Sequence, residues 1–305
     1  MNIKHSCLIA VLAVSSLSLA ACNNNEDQAT ETKQKVTATA ETAEKKVEQP
    51  VDTTPMPELN ISAESAALYN MDDTKPLYEK SPEIVTPIAS ITKLMTTYLV
   101  LQAIHNKTLS WDETLQLEPL DDKAAVSLYT VTNKKDWTVK DLYAAMLVMS
   151  ANDAAEALGK RLDKTDFPAT MNKTAKKLGL SSKSNFVSAS GLDSGGQENV
   201  STSKDLYLLA SSLITKYPEV LDMTSKASYK TSSGYTVEST DALLANKEID
   251  GLDGLKTGFT DGAGYCFVGT AKQNGKRLIS IVLKTSTIDA RFQDTKTLMA
   301  YGFKN

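Results

Sequence analysis

The chain has 305 residues, of which 23% are charged and 41% hydrophobic, and its net charge is −4. This length and composition suit a protein with a substantial core and argue against a wholly disordered or fibrous chain. The acidic balance argues against a nucleic-acid-binding protein, since phosphate binding requires clustered Lys and Arg. With only two His and three Cys, the chain is also poorly supplied for a multi-histidine metal site or a structural zinc site.

Residues 1–21 have the features of an export signal. Lys4 and His5 precede an apolar run over residues 7–21, which is typical of a secretory signal and short for a membrane span. The junction Leu19-Ala20-Ala21-Cys22 resembles the lipobox of bacterial lipoproteins, in which the Cys becomes the lipidated first residue of the mature protein. An ordinary cleaved signal with an incidental Cys22 is the alternative.

The segment after Cys22 is predicted to be a disordered tether that ends at residue 57. Residues 23–57 contain no aromatic residue, many Thr, Glu and Lys, and three Pro near their end. Such a segment cannot bury enough apolar surface to offset its ordering entropy. A lipid on this tether would make the chain an exported protein, anchored to the outer face of the bacterial cytoplasmic membrane, with a folded domain over residues 58–305.

The first half of the folded domain shows a hairpin followed by helices. Residues 64–71 and 75–79 flank a polar turn, which predicts two paired strands. Over residues 89–105 the apolar positions cover a broad helical arc, which predicts a deeply buried helix. Further helices are predicted over residues 141–160, 169–178 and 203–215.

The C-terminal part has the pattern of strands closed by a helix. A short strand is predicted at residues 255–257, and residues 264–271 and 277–284 flank Asn274-Gly275, a strong hairpin turn signal. A last helix is predicted over residues 288–301. Strands at both ends with helices between them predict an α+β fold, with an antiparallel sheet built from both ends and a helical insertion.

The pair Ser90 and Lys93 at the start of the first helix is a candidate nucleophile and base. Positions i and i+3 lie on one helical face, so the Ser hydroxyl can reach the Lys amine. At the edge of the apolar arc the amine would be partly desolvated, which lowers its pKa and allows it to act as a base. Two surface residues of an ordinary helix would give the same pattern.

Two further short motifs carry polar groups suited to substrate binding. Ser150-Ala151-Asn152, inside or at the end of the apolar helix, supplies a hydroxyl and an amide; a helix-capping cluster is the alternative interpretation. In Lys256-Thr257-Gly258, the glycine allows close backbone approach while Lys and Thr can bind a carboxylate. A strand entering a glycine-rich turn is the alternative there.

The order and spacing of the three motifs match a known set, S-x-x-K, S-D-N and K-T-G, of penicillin-binding proteins and class A β-lactamases, with Ala151 in the place of the Asp. The chain resembles the low-molecular-mass penicillin-binding proteins, the serine D-alanyl-D-alanine carboxypeptidases. The resemblance covers roughly residues 60–303. It rests on Ala89-Ser90-Ile91-Thr92-Lys93-Leu94-Met95-Thr96, Ser150-Ala151-Asn152-Asp153-Ala154-Ala155, Ser190-Gly191-Leu192-Asp193 and Asp253-Gly254-Leu255-Lys256-Thr257-Gly258-Phe259-Thr260.

The resemblance implies a five-stranded antiparallel sheet flanked by helices, a mostly helical second subdomain, and a monomer without a cofactor or metal. It implies a peptidoglycan stem peptide ending in D-Ala-D-Ala as substrate and β-lactam antibiotics as covalent inhibitors. The implied catalytic residues are Ser90, Lys93 and Ser150. The implied substrate-binding residues are Asn152, Lys256, Thr257, Gly258, Phe259 and Arg291. Many relatives carry His where Phe259 stands, but an oxyanion-hole donor from the backbone does not depend on that side chain.

Other activities remain open at this stage. A Ser-His-Asp triad would depend on His105, which sits at a predicted helix end where a cation complements the helix dipole. A β-lactamase would use the Glu of an E-x-x-L-N stretch, which is missing between Asn152 and Lys256. A penicillin is therefore expected to acylate Ser90 and to stay attached. A secondary transpeptidase, and a catalytically dead lipoprotein that binds cell-wall peptides, are the remaining alternatives.

Overall fold

Strands from both ends of the folded domain pair in one sheet. The computed structural model describes residues 56–122 and 125–305, so the predicted signal, Cys22 and almost all of the predicted tether lie outside the described residues. The strands are β1 (Ser65–Asn70), β2 (Pro76–Lys80), β3 (Thr86–Pro87), β4 (Thr114–Gln116), β5 (Asp136–Thr138), β6 (Val200–Ser201), β7 (Ser228–Lys230), β8 (Thr236–Glu238), β9 (Leu252–Thr260), β10 (Gly264–Gln273) and β11 (Lys276–Thr285). The helices, besides a 3₁₀ helix at Ala89–Thr92, are α1 (Lys93–His105), α2 (Leu128–Thr132), α3 (Val139–Val148), α4 (Asn152–Leu162), α5 (Phe167–Lys177), α6 (Ser203–Lys216), α7 (Val220–Thr224), α8 (Ala242–Ala245) and α9 (Ile288–Lys304).

The main sheet of the described residues has five antiparallel strands in the order β2-β1-β11-β10-β9. The first and last strands of the fold are neighbours, with Ala67 opposite Ile281. Asn274 and Gly275 join β10 to β11 with φ of 49° and 88°, the conformation that makes an Asn-Gly pair favourable in a tight hairpin. The prediction of an α+β fold with a sheet from both ends is confirmed.

The sheet separates two hydrophobic cores. Alternate residues of a strand point to opposite faces, so Phe267 and Val282 pack with α9 on one side. Their neighbours Val268 and Ile281 face the helical side, in the same core as α1. The layers are therefore α9, the sheet, and the helices between β3 and β7, which form the predicted helical part.

Helix α1 runs through the centre of the helical side. Leu94, Met95 and Leu101 are fully buried, and α3, α4, α5 and α6 pack around it, so the prediction of a deeply buried helix is confirmed. The first turn of the predicted helix is a 3₁₀ helix that contains Ser90. Among residues 56–122 and 125–305, no helix combines the length and the apolar character needed to cross a bilayer.

The prediction of one helix over residues 141–160 is wrong, because the chain breaks between α3 and α4. Ser150 has a φ of 65°, which an α-helix cannot accommodate. The helical hydrogen bond between the Asn152 N–H and the Val148 carbonyl is replaced by two others. The Asn152 N–H donates to the Val126 carbonyl at 2.8 Å, and the Val148 carbonyl accepts from the Thr240 N–H at 3.1 Å.

Strand β9 is longer than the predicted segment 255–257. It pairs with β10 from Leu252 to Thr260, with Thr260 opposite Gly264. Two glycines interrupt its apolar pattern, which is why the sequence signal covers only the middle of the strand. β9 is an edge strand of the sheet, so its outer side is open to other groups.

Candidate active site

Ser90 lies in the 3₁₀ helix that leads into α1, and its hydroxyl faces a cleft. The turn begins at Ala89, whose φ is 46°, and Ser90 itself is partly exposed. The Lys93 ammonium nitrogen, Nζ, donates a hydrogen bond to Ser90 Oγ at 2.7 Å. The predicted contact one turn along the helix is therefore present.

The Lys93 side chain is fully buried, further from solvent than its predicted position at the edge of the apolar arc. Its Nζ also donates to Asn152 Oδ1 at 2.7 Å and to the Ser190 carbonyl at 2.5 Å. Burial lowers the pKa of Lys93 well below its ordinary value of 10.5, and the positive charge of Lys256 acts in the same direction. The amine therefore gives up its own proton readily, as a general base must before it can accept one.

The break between α3 and α4 places Ser150 and Asn152 beside this pair. Ser150 lines the cleft, while Asn152 is the first residue of α4 and points its amide oxygen at Lys93. Asn152 Nδ2 donates to the Val126 carbonyl at 3.1 Å. Because Nδ2 is held by a carbonyl, Oδ1 is the atom that faces the amine.

The outer edge of β9 forms the opposite wall. Gly258 packs on the segment that carries Ser90: a Cβ there would lie 2.9 Å from the Ile88 carbonyl oxygen, so a side chain would push the strand away. Thr257 Oγ1 lies 2.6 Å from Thr240 Oγ1. Lys256 is almost fully buried behind the strand, and its Nζ donates to the Thr257 carbonyl at 3.0 Å.

Three buried charges lie at this end of the cleft. Burial lowers the pKa of Lys256 to about 7, helped by the charge of Arg291 and opposed by Asp241. Arg291 reaches from α9, is nearly buried, and donates through Nη1 to the Gly258 carbonyl at 3.2 Å. Burial raises the pKa of Asp241 to about 6. Arg291, and Lys256 in its protonated form, suit a substrate carboxylate at this wall.

The predicted site residues converge on one cleft of about 1150 Å³. Its lining includes Ser90, Ser150, Asn152, Thr257, Gly258, Phe259 and Arg291. Lys93 and Lys256 lie buried just behind its walls. Phe259 is 48% exposed as a residue, and its ring stacks on Tyr265 with 4.3 Å between the ring centroids. The roles of these residues stay predictions, as does the lipidation of Cys22.

Some residues around the site carried no sequence signal of their own. Thr240 and Asp241 stand in no motif, and only the fold brings them to Thr257 and Lys256. Ser190 belongs to Ser190-Gly191-Leu192-Asp193, one of the stretches on which the family resemblance rests. The contact of its carbonyl with Lys93 was not predicted. His105 lies away from the cleft, at the end of α1, where its Nε2 is 2.6 Å from Glu219 Oε1.

Gly191 is expected to be essential for the position of Ser90. Its φ is 92°, and a Cβ there would lie 2.1 Å from the Ala89 carbonyl oxygen and 2.9 Å from the Ser90 nitrogen. Gly191→Ala must displace the segment that carries Ser90, so acylation by a penicillin is expected to slow by about a hundredfold. Stopped-flow measurement with a fluorescent penicillin checks this.

Gly179→Ala is the matched control for that experiment. Gly179 has a similar φ of 83°, but a Cβ there would meet nothing within 4 Å. It should lower stability by about 1–2 kcal/mol through backbone strain alone and leave acylation unchanged. Equal acylation rates in the two variants would contradict the claim that Gly191 is needed because its backbone lies so close to the Ala89 carbonyl.

The buried Lys256 is expected to make stability rise with pH above neutrality. The unfolded chain keeps this proton up to about 10.5, whereas the folded chain releases it near 7, so the unfolded state binds more protons between these values. The destabilisation is complete below pH 7 and disappears as the pH rises toward 10.5. Urea unfolding at pH 7 and pH 9 should show a smaller rise for Lys256→Met than for the unmodified chain. The exposed Lys272 provides the control, and Lys272→Met should follow the unmodified chain; a parallel rise in all three proteins would contradict the assignment.

Several solved structures that this chain resembles in fold are penicillin-binding proteins. Penicillin-binding protein D2 from Listeria monocytogenes, in its cefotaxime-bound form, is 59% identical to this chain, with a TM-score of 0.79. The match covers 81% of this chain and 99% of that chain. The fold is therefore that of the penicillin-binding proteins.

The family follows from the sequence matches. A family model described as D-alanyl-D-alanine carboxypeptidase, peptidase S11, matches residues 45–287, and the chain belongs to this family. D-alanyl-D-alanine carboxypeptidase DacF of Bacillus subtilis is 30% identical over 255 residues, or 81% of this chain. DacC of Escherichia coli is 31% identical over 276 residues, or 87% of this chain. The chain spans 63% and 65% of the length of these two relatives.

Proposed function

We propose that the chain is a serine D-alanyl-D-alanine carboxypeptidase that acts on peptidoglycan stem peptides through an acyl-enzyme on Ser90. The observation that carries the proposal is the 2.7 Å contact between Ser90 Oγ and the fully buried Lys93 amine. A hydroxyl beside a buried amine with a lowered pKa is the arrangement that activates a serine without a histidine. Family membership and the two cations at the end of the cleft support the same activity.

In the proposed acylation step, Ser90 Oγ attacks the carbonyl carbon between the two D-alanines and neutral Lys93 takes the hydroxyl proton. The backbone N–H groups of Ser90 and Phe259 would hold the developing oxyanion. The C–N bond then breaks, and Ser150 would give its hydroxyl proton to the departing amine and take the proton that Lys93 holds, which leaves Lys93 neutral again. Water would later cleave the ester and release the shortened peptide.

The substrate would lie along the outer edge of β9. Its terminal carboxylate would meet Lys256, Thr257 and Arg291, where the positive charges are concentrated. Asn152 uses one of its Nδ2 protons on Val126, so the other is free for the carbonyl of the acyl-side amide. Substrate binding thus uses groups from α4, β9 and α9.

β-Lactam antibiotics are expected to react with the same serine by the same acylation chemistry. The Listeria relative has been crystallised with cefotaxime and with ampicillin bound. A β-lactam should acylate Ser90 in this chain too. Between Asn152 and Lys256 the sequence lacks the E-x-x-L-N stretch whose Glu activates the deacylating water in class A β-lactamases. The adduct should therefore persist.

An assay of D-alanine release tests the proposed function. The purified protein is incubated with a peptide ending in D-Ala-D-Ala, with and without glycine as an amine acceptor. Free D-alanine together with the shortened peptide supports a carboxypeptidase. A product joined to glycine as the main product would replace it with a transpeptidase, and no release at all would leave a peptide-binding protein.

The anchor is a separate proposal. We infer a cleaved signal over residues 1–21, a lipid on Cys22 and a tether to residue 57, which would hold the enzyme at the outer face of the membrane. Support comes from the apolar run that ends at the Cys22 junction. Cys22→Ala is expected to release the protein from the membrane fraction, as judged by fractionation and immunoblotting. Unchanged retention would contradict the lipid anchor.

A further inference from the structure

Asp153, the second residue of α4, holds a neighbouring segment through an almost fully buried carboxylate. Its Oδ2 accepts hydrogen bonds from Ser127 Oγ and from the Tyr129 N–H, both at 2.8 Å. Its Oδ1 accepts from the Leu128 N–H and from the Ala154 N–H, both at 2.9 Å. Three consecutive residues, at the start of α2, thus converge on one carboxylate.

The segment held in this way contains the group that orients Asn152. The Val126 carbonyl precedes Ser127 directly, and it accepts both the backbone N–H and the side-chain Nδ2 of Asn152. Moving residues 127–129 would move this carbonyl. Asn152 would then lose the contact that keeps its Oδ1 on Lys93.

The orientation of the Asn152 amide determines which of its atoms contacts Lys93 and which is available to the substrate. With Nδ2 on the Val126 carbonyl, Oδ1 accepts from the Lys93 amine at 2.7 Å. If the amide rotated, its NH₂ group would face the Lys93 amine instead, donor against donor. Lys93 would lose one of its three partners and the substrate would lose its donor.

The geometry points to Asp153 as a positioning residue for acylation, acting through the Val126 carbonyl on Asn152 and through Asn152 on Lys93. Asp153 does not touch the reacting atoms in this scheme. The inference rests on the proposed function for its kinetic consequence, whereas the contact chain itself can be tested without activity.

Asp153→Asn is the test variant, because it keeps the volume of the side chain. The negative charge that it removes raises the pKa of Lys93, so its loss favours the neutral amine and works against the expected slowing. In one orientation the NH₂ of the new amide faces the Tyr129 N–H. In the other orientation it faces the N–H groups of Leu128 and Ala154, so at least one donor meets another donor in either case. Asp205→Asn is the matched control. Asp205 is equally buried and holds Ser181 and Ser184 through three contacts, but none of the three residues lines the cleft.

Two measurements separate positioning from stability. The second-order rate of acylation by a fluorescent penicillin is expected to fall by about tenfold to a hundredfold in Asp153→Asn. The same rate in Asp205→Asn should stay within about twofold of the unmodified chain. Hydrogen exchange of the Asn152 backbone N–H should accelerate more in Asp153→Asn than in Asp205→Asn, after each rate is corrected for the loss of global stability in that variant.

The inference is overturned if Asp153→Asn acylates as fast as Asp205→Asn and shows no extra exchange at Asn152. If the unmodified chain is not acylated, the proposed function fails, and the exchange measurement still decides whether Asp153 holds Asn152. If Asp153→Asn does not fold, Ser127→Ala removes one contact to the carboxylate, together with the cap that Ser127 Oγ provides for the Thr130 N–H of the same segment, and should give a smaller effect of the same kind. An unchanged acylation rate and unchanged exchange in Ser127→Ala would then overturn the inference.

Discussion

Ser90→Ala is expected to abolish D-alanine release and penicillin binding, with a loss of about 10⁴-fold or more in rate. The proposed acyl-enzyme forms on the Ser90 oxygen, and the other two groups that contact the Lys93 amine, Asn152 Oδ1 and the Ser190 carbonyl, are not nucleophiles. The fold should survive, because Lys93 keeps its contacts with Asn152 and the Ser190 carbonyl. D-alanine release and thermal unfolding measured on the same preparation check both statements.

Ser194→Ala is the control for Ser90→Ala. Ser194 lines the same cleft and is exposed, but it has no contact with Lys93 among the described residues. Its replacement should leave D-alanine release unchanged. Release by Ser90→Ala at the rate of the unmodified chain would show that another nucleophile is used.

Lys93→Met is expected to lower acylation by about 10²–10⁴-fold, the usual contribution of a general base. The substitution keeps an unbranched side chain in the buried space and removes the amine that is proposed to accept the hydroxyl proton. Burial of the ammonium carries an energetic cost, seen in its lowered pKa, so removing it should not reduce stability strongly. The rate of adduct formation and the circular dichroism spectrum provide the measurement.

Lys107→Met is the control for this variant, since Lys107 is exposed just after the same helix. It should acylate like the unmodified chain. Lys93→Arg adds a second test, because a guanidinium stays protonated and cannot act as a base. Fast acylation by either variant of Lys93 would contradict the role of the amine.

The sequence was sufficient for features that depend on local pattern. The first hairpin, the buried helix and the Asn274-Gly275 turn follow from spacing and turn chemistry over a few residues. The three motifs were recognisable for the same reason, since each is three or four residues long. Their convergence on one cleft is a property of the fold, which the spacing alone did not determine.

The sequence was insufficient where distant residues decide the local structure. The apolar run over residues 141–149 favours a continuous helix, but the Val126 carbonyl and the Thr240 N–H take over its hydrogen bonds. The full burial of Lys93 likewise depends on Asn152 and on the Ser190 carbonyl. The helical pattern placed this side chain at an edge because it contained no information about what covers α1.

The most direct test of the account is to locate the penicillin adduct. The purified protein is treated with benzylpenicillin, digested with trypsin and analysed by tandem mass spectrometry. We expect a persistent adduct on Ser90, in the tryptic peptide 81–93. An intact chain without an adduct, an adduct on any other residue, or rapid turnover of the penicillin would contradict it.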